Sequence, residues 1–64
     1  MSSFSGRLTA EKDRIVSDHA KLCAFFESGK VESLSKANRD LLSMQADVMS
    51  ELITILNIRI ELNS

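Results

Sequence analysis

The chain of 64 residues contains no proline, and its only glycines are Gly6 and Gly29. These are the two residue types that most often interrupt helices: proline removes a backbone donor and clashes with the preceding turn, and glycine adds conformational entropy to the unfolded chain. Helices of twenty residues or more are therefore permitted, with Gly29 the one internal point where the backbone has a ready way to turn.

The apolar pattern uses that freedom. Leu8, Ile15, Leu22 and Phe26 follow Phe4 at steps of four and seven, His19 fills a gap in the same stripe, and Val16, Ala20 and Cys23 widen it. That period belongs to one face of a helix, predicted over about residues 4 to 28. Ser2, Ser3 or Ser5 can accept a bond from the free amides of its first turn, and Gly29 can take the left-handed conformation that ends it.

Val31 and Leu34 are spaced to anchor the connection over 29–35, and Ser33 or Ser35 offers a cap for a second helix, predicted over about 36 to 60. This helix carries two adjacent stripes, one of Leu41, Gln45, Val48, Leu52, Ile55 and Arg59, the other of Leu42, Ala46, Met49, Ile53, Leu56 and Ile60. From Ile58 to Leu62 apolar residues alternate with charged ones, which is strand periodicity. The same residues continue both stripes without a phase break, so the expectation is helix.

Two long helices joined by so short a connection double back on each other. The fold class expected is all-α: one domain over 1–64, an antiparallel two-helix hairpin in which positions summing to about 64 face each other, so that Leu8 lies near Leu56, Ile15 near Met49 and Leu22 near Leu42. A hairpin has a single internal interface, too little to stabilise a chain of this size comfortably. Met44, Ile55, Ile58 and Leu62 add apolar surface that helix one cannot reach. A homo-oligomer, either a helical bundle or a closed ring, is expected to cover it. Neither stripe keeps a strict heptad beyond three repeats, which argues against an extended coiled coil.

Charge narrows the function classes. Eight Lys and Arg against nine Asp and Glu leave a net charge of -1, so the field that draws proteins onto DNA or RNA duplexes or acidic membranes is missing. A lone cysteine, Cys23, forms no internal disulfide. With no signal-peptide pattern and no apolar run of about 18 residues, the expected location is the reducing cytoplasm, away from membranes.

Catalysis and metal binding find little support. His19 and Cys23 stand four apart with Asp18 beside them, but a closed zinc site needs four ligands and the chain has no second Cys or His. Neither a glycine-rich oxyanion turn nor a phosphate-loop motif is present. The expectation is a protein that is not an enzyme and carries no metal or cofactor, with Asp47 and Glu51 solvating the polar face of helix two.

The informative residues interrupt the apolar stripes. Gln45 and Arg59 must be paired or face a cavity between subunits. In one reading Arg59 forms an ion pair with Glu11 or meets the start of helix one, while Gln45 bonds across the oligomer. In the other, Arg59 joins Arg7 and Arg14 to grip an anion, Phe4 stacks on a base, and Lys21 contributes less strongly. Phe25 and Phe26 point about 100° apart, so one of them is expected at a second interface.

Taken together, Arg7-Leu8 with Ala10-Glu11-Lys12, Lys21-Leu22 with Phe25 or Phe26 and Ser28, Leu34-Ser35, Leu41-Leu42, Gln45, Met49, Leu56 and Arg59-Ile60 resemble a family of small helical proteins of tailed bacteriophages and prophages, including phages of gut bacteria. Members often carry an aromatic residue where this chain has Leu52. The resemblance implies an anti-defence sponge that holds a cyclic oligonucleotide or related nucleotide immune signal, such as a cyclic di- or trinucleotide, at pockets between subunits, inside the bacterial host cell. Phe4, Arg7, Arg14, Lys21 and Arg59 are the ligand-binding candidates. The rival is an oligomeric adaptor or inhibitor that docks a host protein on the apolar face around Met44, Ile55 and Ile58.

Overall fold

Gly29 is where the chain turns. It adopts φ 79°, the left-handed conformation that glycine enters without a steric penalty. In the computed structural model, which describes residues 4–63, helix α1 (Phe4–Glu27) ends just before it and helix α2 (Lys36–Leu62) begins after a single 3-10 turn (Lys30–Ser33). The described residues contain no strand. The two helices lie side by side as an elongated hairpin of 45 × 17 × 14 Å.

The connection is closed by its own polar groups. The Ser28 hydroxyl donates to the Phe25 carbonyl at 2.7 Å and accepts from the Lys30 amide at 3.2 Å, so it bridges the end of α1 to the turn. Ser35, one of the two caps foreseen, takes the N-cap position of α2, and its hydroxyl accepts from the Asn38 amide at 3.3 Å. Val31 and Leu34 are half-buried beneath the turn, as the anchoring role requires. Of the serines proposed to cap α1, Ser2 and Ser3 lie outside the described residues, and Ser5 falls within the helix, where its carbonyl accepts from the Thr9 hydroxyl. A Cβ at position 29 would meet nothing within 4 Å, so Gly29→Ala should cost only the left-handed strain, about 1–2 kcal/mol. Urea titration followed by helical circular dichroism measures it, and an unchanged midpoint would show that the turn has another conformation open to it.

Residues 52–62 are helical, so continuity of the stripes prevails over the local alternation. The helix runs two residues past its expected end, to Leu62, and Asn63 closes it by donating from its side-chain amide to the Arg59 carbonyl at 2.7 Å.

The helices meet along one stripe each. On α1, Leu8 is buried and Lys12, Ile15, His19, Leu22 and Phe26 are half-buried. On α2, Leu56 is buried and Leu42, Ala46, Met49, Ile53 and Ile60 are half-buried. Successive members are three or four residues apart, the spacing of a coiled-coil seam. Leu8 and Leu56, the two buried residues among those described, are one of the pairs whose positions sum to 64.

Outside that seam α2 stays open. Leu41, Met44, Val48, Ile55, Ile58 and Leu62 are between 50% and 78% exposed. They too recur at three and four, with Glu51 completing the series. At 100° per residue their line lies roughly 150° around α2 from the seam that meets α1. The total accessible surface is 4777 Å², whereas a compact folded monomer of 7.1 kDa shows about 4,100 Å².

By length and composition alone α2 is long and apolar enough to cross a membrane, although it holds no uninterrupted apolar run of about 18 residues. Two apolar seams on opposite faces produce that composition. Asp47 and Glu51 lie within the helix, and each would cost about 2.5–3.5 kcal/mol at the centre of a bilayer.

Candidate functional site

Seven residues of α1, at positions 4, 7, 11, 14, 18, 21 and 25, form a stripe beside the internal seam: Phe4, Arg7, Glu11, Arg14, Asp18, Lys21 and Phe25. All are exposed except Phe25, which is half-buried. Contacts at both ends fix which side of the hairpin the stripe occupies. At one end the Arg59 guanidinium lies over the Phe4 ring, 5.9 Å from its centroid. Near the other, Asp18, Lys21, Leu22 and Phe25 line an open groove of about 380 Å³ with Gln45 and Met49 of α2. Gln45 and Arg59 are fourteen residues apart, four helical turns, and so share one side of α2.

All five candidate residues, Phe4, Arg7, Arg14, Lys21 and Arg59, thus stand on the same side of the molecule. Helical rise separates Arg7, Arg14 and Lys21 by about 10.5 Å each. None of the three is held in an ion pair with a carboxylate among the described residues, whereas Lys36 is engaged by Asp40 at 2.7 Å. Glu11 and Asp18 are interleaved with them, so the stripe alternates in sign and is not a uniformly basic patch. About half of Phe4 (48%) remains exposed beside Arg59. The arrangement offers guanidinium and ammonium donors at regular intervals along an aromatic-ended, partly apolar strip, which suits a ligand with several phosphates and flat bases.

Arg59 does reach the start of α1, but its contact is with the Phe4 ring and not with Glu11, so the ion-pair form of the structural reading is replaced by a cation–π contact. Phe25 and Phe26 are both half-buried. Phe25 lines the groove, while position 26 continues the internal seam. The groove itself was not foreseen. Its signal in the sequence was the coincidence of Asp18, Lys21 and Phe25 on one side of α1 with Gln45 on α2. The His19 and Cys23 side chains approach to 3.8 Å, and the described residues contain no group of three His, Cys, Asp or Glu side chains able to hold a metal ion.

A family model described as Sequestin matches residues 2–62. The chain belongs to the Sequestin family. The match covers both helices and the turn of this chain, and the family's name accords with a role in sequestering. Neither a curated protein nor a solved structure matches the chain.

Proposed function

We propose that this protein is a non-enzymatic binding protein of phage type that sequesters a cyclic oligonucleotide or related nucleotide immune signal, such as a cyclic di- or trinucleotide, in the bacterial cytoplasm, at sites formed when copies associate. The observation that carries this reading is the gathering of Phe4, Arg7, Arg14, Lys21 and Arg59 on one side of the hairpin. Phosphates of the ligand would be held by the cations, and a base would lie against Phe4 or over the groove beside Phe25. A hairpin only 14–17 Å across cannot enclose such a ligand, so enclosure needs a second chain. Holding a signal away from its receptor depends on stoichiometry and affinity, which a small protein with repeated sites can supply.

A thermal-shift panel of cyclic di- and trinucleotides tests the reading. A ligand bound only by the folded state at a hundred times its Kd stabilises it by about 2.7 kcal/mol, which for a domain this small is on the order of 10–20 °C in Tm. No shift with any member of the panel would remove the reading. The exposure of Met44, Ile55 and Ile58 supports a second reading, an adaptor that docks a host helix on α2. Stoichiometric retention of one host protein, lost on Ile58→Asp, would favour it.

A further inference from the structure

The outer line of α2 has a feature that composition alone does not explain: its three-and-four spacing is kept from Leu41 to Leu62, with Glu51 as the one charged member. A helix that merely tolerates exposed apolar residues has no reason to hold them in register. Regular spacing on a face roughly 150° from α1 is what a helix needs when it packs between two others. The surface in excess of a compact monomer, 4777 Å² against about 4,100 Å², approaches the roughly 800 Å² that each partner contributes to a standard interface.

We propose that this outer seam is covered by the same seam of a second copy, the two α2 helices running antiparallel, with Glu51 of each copy reaching Arg59 of the partner subunit. The inference takes from the proposed function only that copies associate, and it does not depend on any ligand. Charge selects the occupant's direction. Parallel helices in register would set Glu51 against the partner's Glu51 inside an apolar seam, where like charges repel and are poorly hydrated. Antiparallel helices can instead place Met44 against the partner's Leu62 and Val48 against the partner's Ile58. The stem of Glu51 then lies over the partner's Ile55, and its carboxylate is one turn from the partner's Arg59. The dipoles of the two helices also oppose each other in this direction. The same register brings Asp47 towards the partner's Glu61 on one rim, where water and salt screen the repulsion.

Two structural consequences follow. The dimer is a flat layer in the order α1, α2, α2, α1, because the two seams of α2 lie on nearly opposite faces. Its two-fold axis is perpendicular to that layer, so Phe4, Arg7, Arg14 and Lys21 of both copies appear on one side. Arg59, with its face on Phe4 and its edge on the partner's Glu51, becomes a positioning residue of the interface. That leaves Arg7, Arg14 and Lys21 as the cations free to meet phosphate.

A charge swap on the full chain tests the pair. By light scattering across a dilution series, wild type should be a dimer of about twice 7.1 kDa, and Glu51→Arg or Arg59→Glu should each raise the dissociation constant about tenfold or more. The double variant carrying both changes should return to within about threefold of wild type. Circular dichroism checks that every variant keeps its helices. A monomeric wild type, single variants that associate unimpaired, or a double variant weaker than either single one would each overturn the proposal.

Direction is read separately. Spin labels at Leu41→Cys in a Cys23→Ser background should lie about 35 Å apart in this antiparallel register, whereas a separation below about 20 Å would mean parallel pairing and overturn it. Running the nucleotide panel on wild type, whose Arg59 is intact, keeps the two readings apart. Ligand binding by wild type with no rescue in the swap sinks the interface alone, and rescue in the swap with no ligand bound by wild type sinks the sequestering function alone.

Discussion

Leu56→Ala is expected to lower the stability of the folded chain by about 3 kcal/mol or more, the largest effect of any single truncation in this protein. Among the described residues Leu56 is the one with no accessible surface, and Leu8, at 3%, is the only other buried one. Removing a buried leucine loses its transfer free energy and leaves a cavity, at 2–5 kcal/mol in well-packed cores. A hairpin of this size has little stability to spare, so much of the Leu56→Ala population should be unfolded at room temperature and micromolar concentration. Leu41→Ala is the control: it removes the same atoms from a side chain that is 61% exposed and lies beyond the overlap of the proposed dimer, and it should cost under about 0.5 kcal/mol. Urea unfolding followed by circular dichroism at several protein concentrations measures both. If the two substitutions cost the same, the seam between α1 and α2 is not what holds the hairpin.

That contrast marks what could be read from the residues. The hairpin was legible because its causes are local: no proline, a turn at Gly29, a cap at Ser35, and apolar residues at helical spacing on both sides of the turn. Register was legible as well, since a short connection fixes which positions face each other, and Leu8 and Leu56 are where that rule puts them. The same rule placed Leu42, Met49 and Leu56 opposite α1, and they turn inward together with Ile60. Less legible was that Leu41, Val48 and Ile55 of the neighbouring stripe would line up with Met44, Ile58 and Leu62 as a separate open face. Glu51, read as a solvating residue, is exposed; its spacing also places it on the outer line of α2, which becomes visible only once the inner one is assigned. At the site, the sequence supplied the cations and Phe4 but not their grouping, because whether residues on two different helices share a side depends on how each helix is rotated. The contact of Arg59 with Phe4 and the groove between Lys21 and Gln45 settle that rotation.

The same rotation sets the second large effect. Arg7→Ala combined with Arg14→Ala is expected to weaken binding of whichever cyclic nucleotide stabilises the protein by about a thousandfold, while leaving helicity and oligomer mass unchanged. Each arginine projects from an exposed position on α1 and makes no ion pair with a carboxylate among the described residues, so truncation removes nothing that supports the fold. A charge-assisted hydrogen bond contributes roughly 1.5–3 kcal/mol, or about ten- to a hundredfold in Kd for each residue. At about 10.5 Å apart the two should act nearly additively. Arg14→Lys should recover only part of the loss, because an ammonium lacks the planar fork that grips two phosphate oxygens. Glu11→Gln should act in the opposite direction and tighten binding severalfold, since it removes the negative charge between the two cations, an effect that salt should reduce. Calorimetric titration of each variant with the same nucleotide separates these outcomes. Wild-type affinity in the double variant would move the ligand off this side of the hairpin altogether. Loss in Glu11→Gln comparable to that in Arg7→Ala would mean that the stripe recognises something other than phosphate.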